Sequence, residues 1–521
     1  MMQLSTVNRK ARAMLNLTPL LRLYASFRSS QLLLQHPVES QLHTLRKLLH
    51  TARLTQFGEE YGFHNISNVD EYQARVPLRT YEDFWEQYWK KPFPILKDVT
   101  WPGMIPYFPV SSGTSSGTTK YIPYTNEMKN SNTKAGMDLL VHHVNNQPNT
   151  ALMGGKNFML GGSTDFVKEA PGVWSGDLSG ISVKELPWWI RPRYFPPQEL
   201  TLISNWEEKI EILGTEALKA DIRMISGVPS WLLIFFDKLA DSLGHSTPRI
   251  CDLFPNLELL VHGGVNFAPY YDQFTELLEG SRAELREVYP ASEGFIASAD
   301  RGSGEGLRMV LDHGIFFEFV PVEELSSPNP TRHWIKTIEK DVNYAIVLTT
   351  CAGLWSYILG DTVRFIDTET PRLLVTGRTS YMLSAFGEHV IAEEVEYAVS
   401  NAAHEIGHTV IDYSVGALYP QNPGDLGGHL FVVEFSDGQI TDEKMQTFLN
   451  RIDQDLCSRN EDYEAHRAKG FGLHAPQGVS VPQGTFAAWM KKRGKLGGQN
   501  KVPRIISRRE LFDDLKAFVG A

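Results

Sequence analysis

Between Ser111 and Lys120 the chain reads Ser111-Ser112-Gly113-Thr114-Ser115-Ser116-Gly117-Thr118-Thr119-Lys120. Residues this small let a backbone approach phosphate oxygens closely. Successive N–H groups and hydroxyls can then cradle the anion, with Lys120 adding charge. The order Gly113-x-x-x-Gly117-x-x-Lys120 is not the Gly-x-x-x-x-Gly-Lys-Ser/Thr of a Walker loop. A flexible linker would share this composition. Ile122-Pro123-Tyr124-Thr125 and a helical pattern from Glu127 to Val144 follow at once, however, and suit an ordered site better.

Four further stretches carry chemistry of the same kind. In Tyr289-Pro290-Ala291-Ser292-Glu293-Gly294 the Tyr289 face can stack on adenine, the Ser292 hydroxyl can bond a phosphate and Glu293 can hold Mg2+. A strand-end turn with a surface glutamate is the plainer alternative. Asp361, after Gly360 in Tyr357-Ile358-Leu359-Gly360-Asp361, is placed as a carboxylate that accepts both ribose hydroxyls. Gly-Asp is also ordinary turn chemistry. Arg378, in Gly377-Arg378-Thr379 ahead of Gly387-Glu388 and Glu393-Glu394-Val395-Glu396, can reach ribose or phosphate, or can belong to an ion-paired surface segment. Lys501, in Gln499-Asn500-Lys501-Val502-Pro503-Arg504 after the basic run Lys491–Gly498, is a mobile point charge able to reach a reacting carboxylate or a bridging phosphate oxygen. In isolation a solvated basic loop is the better reading of this segment.

One motif is discounted. His404-Glu405-Ile406-Gly407-His408 matches the H-E-x-x-H pattern of zinc proteases. Gly407 interrupts the helix such a site needs, and an apolar run begins at Thr409. These residues are expected at a helix end, without zinc.

The elements that must position these groups follow from periodicity. Residues 38–60 read as one helix through Leu42, Leu45, Leu48, Leu49 and Ala52. Residues 80–97 are Trp- and Pro-rich and lead to the Gly/Ser/Thr loop. Residues 151–200, with Trp174, Trp188 and Trp189, suggest the lining of a substrate pocket more than regular structure, although tryptophan is also core filler. From 203 to 400 helices alternate with short apolar strands: a strand at 257–262 ending in Gly263-Gly264, a helix at 270–282, strands at 285–289, 314–320 and 344–350. That alternation predicts mixed α/β sheets. A compact α+β set follows, with helices at 391–402 and 441–456 and strands at 408–417 and 428–435. The boundary is expected near Arg378–Gly387, dividing the chain into residues 1–380 and 381–521.

The chain has 521 residues and a formal charge of −11, which argues against a nucleic-acid platform. Cys251, Cys351 and Cys457 are far apart, define no disulfide framework and fit a reducing cytoplasm. No apolar run reaches the length of a membrane span. Met1–His36 holds no acidic residue and carries Arg9, Lys10, Arg12, Arg22 and Arg28. A transit segment has that composition; a surface amphipathic helix is the preferred reading, because Leu20, Leu21, Leu23, Tyr24 and Phe27 run on into patterned sequence.

Taken in order, the motifs resemble the adenylate-forming superfamily of acyl-CoA synthetases, peptide-synthetase adenylation domains and luciferases. Within it, Ser111–Lys120 with Pro123, Tyr289–Gly294, Tyr357–Asp361 and Gln499–Arg504 resemble the auxin-responsive (GH-three type) family of acyl acid–amido synthetases. Thr55-Gln56-Phe57-Gly58, Val76-Pro77, Tyr81-Glu82-Asp83 and Ser175–Ile181 extend the likeness over residues 37–504. The resemblance implies a large N-terminal α/β domain with a β-barrel-like part and a smaller, mobile C-terminal α+β domain. It implies ATP and Mg2+ as cofactors, a small-molecule carboxylic acid and an amine or amino acid as substrates, and a cytoplasmic setting. It assigns ATP or AMP binding to Ser111, Ser112, Gly113, Thr114, Ser115, Gly117, Gly264, Tyr289, Ala291, Ser292, Asp361 and Arg378. Lys120, Glu293 (through Mg2+) and Lys501 are implied in catalysis. His389 stands where the family often has a lysine near the Gly-Glu pair. Transfer of the acyl group to a CoA or carrier-protein thiol shares the first half-reaction, and a nucleotide-binding protein that has lost catalysis is the rival of a different class.

Overall fold

The computed structural model of the chain describes residues 14–111, 119–160, 166–186, 188–197, 200, 206–244, 249–264, 267, 270–302, 304–325, 327–378, 382–383, 385–388, 390–420, 425–468, 472–493 and 502–521.

A 12-stranded sheet forms the body. One half is parallel: Tyr194–Phe195, Lys156–Leu160, Ile222–Gly227, Leu259–Gly263 and Glu284–Ala291 lie side by side in that order. Parallel strands need cover on both faces. Leu260 accordingly packs with Phe235, Phe236 and Leu239 of helix Pro229–Leu243, while Leu259 and Val261 pack with Leu21 and Ala25 of helix Thr18–Leu33 and with Leu139 and Leu140 of helix Asn126–Asn146. The other half is antiparallel and runs from Glu284–Ala291 through Gly294–Ser298, Leu307–Met309, Arg372–Arg378, Tyr357–Asp367, Asn343–Thr350 and Ile315–Pro321 to His333–Trp334. A separate 4-stranded sheet carries Tyr107–Ser111 and Lys120–Tyr121.

After Arg378 a second 4-stranded sheet orders Gln477–Val481, Gly428–Phe435, Val410–Leu418 and Ile505–Ile506. Its strand Gly428–Phe435 is buried at every position. Phe431 and Val433 face helices Ala392–Glu405 and Asp442–Arg459, and Leu430 and Val432 face Thr485–Lys492 and Arg509–Val519. No helix of the described residues is long and apolar enough to cross a membrane. The N-terminal segment is a surface helix over Thr18–Leu33, with Leu20, Leu23 and Phe27 exposed; Arg9, Lys10 and Arg12 lie outside the described residues.

Several elements depart from the periodicity. The helix expected across 38–60 breaks into Pro37–Ala52 and Gln56–Glu60, because Thr55 caps the second piece by accepting from Gly58 N–H and its hydroxyl donates to the Ala52 carbonyl at 2.7 Å. Residues 81–89 are helical, opened by a Thr80–Asp83 capping box. The described residues between 151 and 200 include regular elements: strands Lys156–Leu160, Phe166–Ala170 and Val173–Gly176, then helix Leu178–Lys184. Trp188 and Trp189 face solvent there, and the Trp174 ring lies 3.9 Å from the Lys184 ammonium. The helix expected at 270–282 is shorter, Tyr271–Leu277, and ends before Gly280 with its positive φ.

Candidate active site

Glu293 sits in the tight turn between strands Glu284–Ala291 and Gly294–Ser298 and is 9% exposed. The turn requires glycine next: Gly294 has φ 154°, and a Cβ there would meet Ile315 Cδ1 at 2.5 Å. Tyr357, first residue of the strand Tyr357–Asp367, donates its hydroxyl to Glu293 Oε1 at 3.0 Å. Four residues along the same strand, Asp361 accepts the Tyr289 hydroxyl on Oδ2 at 2.7 Å. Two side-chain bonds therefore tie the Glu293 turn and its strand to the Asp361 strand. Gly360, at φ 94°, supplies the left-handed backbone that sets Asp361 at this point.

Charge is concentrated here. Burial holds the Glu293 carboxyl above its ordinary range, and Asp361 adds to the rise; Tyr357 and Lys120 pull the other way without cancelling it. Burial likewise pushes the Tyr357 hydroxyl well up, with Glu293 reinforcing it. Lys120 is itself buried, 3.5 Å from Glu82 Oε1 and 5.0 Å from the centre of the Tyr81 ring. The Tyr81 hydroxyl accepts the Tyr121 N–H at 2.9 Å and pins the start of strand Lys120–Tyr121. A cation, two carboxylates and two phenols thus share one corner, a clustering of burial-shifted groups of the kind found at functional sites.

The structure brings together Lys120, Tyr289, Glu293 and Asp361 from the sequence-predicted set. Ala291 and Ser292 share the Glu293 turn and are half-buried. Gly264 forms an exposed bend just after Leu259–Gly263, at the carboxyl end of the parallel strands, where open α/β sheets bind ligands. The backbones of Arg378 and Asp361 are register partners, as are those of Ser111 and Lys120. Ser112, Gly113, Thr114, Ser115, Gly117, His389 and Lys501 lie outside the described residues. Sequence reasoning did not single out Tyr357, Tyr81 or Glu82. Period-2 spacing gave no signal for Tyr357, because the strand bulges between Ile358 and Thr362 and Gly360 is left-handed.

Two other constellations are settled by their partners. His404 and Glu405 end the helix Ala392–Glu405, Gly407 turns left-handed at φ 69°, and the His408 N–H returns to the Ala403 carbonyl at 3.0 Å, a helix C-terminal cap. His408 Nε2 lies 2.7 Å from the Lys444 ammonium. Among the described residues Asp138, Asp312 and His313 have metal-ligand spacing. Arg28 fills that space, bonding both oxygens of Asp138 and Asp312 Oδ2 at 2.8 Å.

Glu287, two residues before Tyr289, is half-buried, and burial alone raises its carboxyl to about 7. With the folded value above the ordinary 4.5, its contribution to stability is fully present below about pH 4.5 and lost as pH rises through about 7. Glu287→Gln is therefore expected to stabilise the protein by up to about 3 kcal/mol at about pH 8 and by nothing at about pH 4.5. Urea unfolding at the two pH values measures this, and an equal effect at both would exclude it.

The order and content of the chain match one family in three consecutive parts. The GH3 family N-terminal domain matches residues 28–283, its central domain residues 308–378 and its C-terminal domain residues 393–510. The chain belongs to the GH3 family. Its relatives include a jasmonoyl–L-amino acid synthetase of Nicotiana attenuata, 22% identical over 546 residues that cover 90% of this chain and 91% of the relative. A second jasmonoyl–L-amino acid synthetase of the same plant is 26% identical over 306 residues, and there the chain spans 49% of the relative's length. An indole-3-acetic acid-amido synthetase of Arabidopsis thaliana is 23% identical over 343 residues, 61% of this chain and 57% of that one. The fold is that of an acyl acid amido synthetase solved in complex with 2,4-DB (TM-score 0.56, 17% identity, 93% of this chain and 94% of the other). It is also that of a 2-hydroxyisobutyryl-CoA ligase solved with 2-HIB-AMP and CoA (TM-score 0.57, 15% identity, 92% and 91%). In this GH3 chain Lys120 and Gly264 fall in the N-terminal part, and Tyr357, Asp361 and Arg378 in the central one. Tyr289 and Glu293 lie on the connection between the two.

Proposed function

We propose that this GH3 protein is an ATP-dependent acyl acid–amido synthetase of the cytoplasm, which adenylates a carboxylic acid and transfers the acyl group to the amine of an amino acid or similar acceptor. The observation that carries the reading is the buried corner in which Tyr357 bonds Glu293 and Tyr289 bonds Asp361, with Lys120 close by. Relatives named for coupling jasmonic or indole-acetic acid to amino acids support it. In this reading residues 1–380 adenylate and residues 381–521 close over the site.

In the first step a carboxylate oxygen attacks the α-phosphorus of ATP in line, the bond to the bridging oxygen breaks, and pyrophosphate leaves. Such a step depends on positioning and on neutralising charge. The hydroxyls and N–H groups of Ser111, Ser112, Gly113, Thr114, Ser115 and Gly117 hold phosphate oxygens, and Lys120 balances the leaving pyrophosphate. Asp361 accepts from the ribose, the Tyr289–Ser292 segment borders the base and the α-phosphate, and Gly264 and Arg378 flank the nucleotide. Lys501 reaches the reacting carboxylate or α-phosphate from the C-terminal part. Mg2+ fits Glu293, because a buried carboxylate whose ionisation burial opposes gains from a cation, and Mg2+ is commonly held by one carboxylate with substrate phosphates; when bound it supplies charge neutralisation at the phosphates. In the second step the acceptor's neutral amine attacks the acyl carbonyl, AMP departs with the electrons of the broken acyl–oxygen bond, and the amine gives up its proton.

The test is ATP–pyrophosphate exchange across a panel of aliphatic, aromatic and indolic acids, followed by mass spectrometry of products formed with amino acids, hydroxylamine or CoA. Acid-dependent exchange and amide products are expected. Exchange with none of the acids would remove the adenylation reading, and thioester in place of amide would make the chain a thiol ligase.

A further inference from the structure

The residue before Tyr357 is held in a conformation it does not favour. Ser356 is fully buried and has φ 48°, the left-handed region that a residue with a Cβ seldom adopts. Such a conformation persists where the surroundings over-determine it, and here every polar group of Ser356 is engaged. Its N–H donates to Thr349 Oγ1 at 2.9 Å. Its hydroxyl lies 3.0 Å from Glu318 Oε2 and 3.0 Å from the Tyr72 hydroxyl, and accepts from Arg332 Nη2 at 2.7 Å. Its carbonyl accepts the Arg79 N–H at 3.0 Å, and the Arg79 carbonyl in turn accepts the Ile358 N–H at 2.8 Å. Arg79 therefore grips the backbone on both sides of Tyr357.

The surrounding shell is rigid in its own right. Glu318 is 0% exposed, and the Arg332 guanidinium lies 2.7 Å from its Oε1. Tyr72 and Thr349 share a 2.7 Å hydroxyl contact. These groups come from four separate segments of the chain. The described structure gives the Ser356 hydroxyl no direct bond to Glu293; the link between them runs through Tyr357, one residue on, whose hydroxyl holds the Glu293 carboxylate. A glycine would meet the backbone requirement at lower cost. What serine adds is a hydroxyl anchored to Glu318, and with it a fixed origin for the Tyr357 side chain.

We propose that Ser356, anchored by Glu318, Arg332 and Tyr72, is a positioning residue for the nucleotide site: it sets where the Tyr357 hydroxyl, and through it the Glu293 carboxylate, stands. This deepens the reading of Glu293 as part of an ATP site and rests on it. Ser356→Ala removes the anchor and leaves a Cβ at a left-handed position. Ser356→Gly removes the anchor and relaxes the backbone. Both should loosen MgATP binding.

A double-mutant cycle tests this, with the MgATP dissociation constant measured by calorimetry for the wild type, Ser356→Ala, Tyr357→Phe and the pair, and thermal melts run on all four. Ser356→Ala is expected to weaken MgATP about tenfold in the wild-type background and less than about twofold when Tyr357 is already phenylalanine. Equal weakening in both backgrounds, or no weakening, overturns the proposal. If the alanine variant does not fold, Ser356→Gly takes its place in the same cycle with the same criteria. Acid-dependent pyrophosphate exchange is read on the wild type alongside. Exchange with an additive cycle removes the positioning role alone; a coupled cycle without exchange removes the synthetase reading alone; a wild type that binds no MgATP removes both.

Discussion

Glu293→Gln is expected to lower acid-dependent pyrophosphate exchange by about 10²- to 10³-fold, the scale of loss when one preorganised electrostatic contact to a transition state is removed. Glutamine is nearly isosteric, and its carbonyl oxygen can still accept from Tyr357, so the 3.0 Å contact survives. What disappears is a negative charge that burial already opposes. The variant should therefore melt at or above the wild-type temperature while losing activity, and it should need a higher Mg2+ concentration for half-maximal rate. The wild-type pH profile carries the same signature. With the carboxyl held above its ordinary range, the ionised form is lost on the acid side sooner than for an exposed glutamate, and that limb of the profile should vanish in the variant. Exchange rates across pH, paired with thermal melts, measure this. Unchanged exchange would rule out a working Glu293, and a lowered melting temperature would recast it as structural.

Glu388→Ala is expected to cost about 3–5 kcal/mol, the largest effect on stability foreseen here. The side chain is completely buried in the C-terminal part. Its Oε1 accepts from the Ala385 N–H at 3.2 Å and from His429 Nε2 at 2.8 Å, and its Oε2 accepts from the Phe386 N–H at 2.7 Å. Alanine removes the acceptor that the buried Phe386 N–H and His429 Nε2 and the half-buried Ala385 N–H share. Burial by itself would raise the carboxyl; the His429 hydrogen bond and charge outweigh it and bring the carboxyl down to about 2. With the folded value depressed, the contribution is present above about pH 4.5 and fades as pH falls toward about 2. Glu388→Gln keeps an acceptor and should cost less. The turn also bears the Ala385 carbonyl that takes the Tyr270 hydroxyl at 2.8 Å, so its loss should loosen the seam with the body of the protein. Hydrogen exchange of residues 383–435 in wild type and variant measures the loss, and equal protection in the two would exclude it.

Much of the framework was legible in the linear pattern. Strand 428–435 and the helix predicted at 441–456 fall within a few residues of Gly428–Phe435 and Asp442–Arg459, because the apolar run Leu430–Val433 and the Thr441 cap are local signals. The strands expected at 314–320 and 344–350 are Ile315–Pro321 and Asn343–Thr350, which pair antiparallel. Where local signals conflict, the reading missed. Thr55 is compatible with a continuing helix in isolation, and only its contacts with Ala52 and Gly58 end one helix and begin the next. The tryptophans of 174–189 suggested irregular pocket lining, yet Trp174 sits in a strand of the small sheet and Trp188 faces solvent.

For the site the division is sharper. The sequence by itself determined that a Gly/Ser/Thr loop with a trailing lysine, a Tyr-x-x-Ser-Glu turn and a Gly-Asp strand occur in an order that resembles adenylate-forming enzymes, because each motif is a short run readable without distant residues. Which side chains meet was decided by tertiary structure alone. The Tyr357–Glu293 and Tyr289–Asp361 bonds join residues 64 and 72 positions apart, and the Ser356–Glu318 bond joins residues 38 apart. Such bonds depend on sheet register and on the left-handed turns at Ser356 and Gly360, and a single-residue slip would point each partner at the opposite face. Lys120, which closes the loop whose composition suggested phosphate binding, is the residue the fold carries to within the electrostatic reach of Glu293.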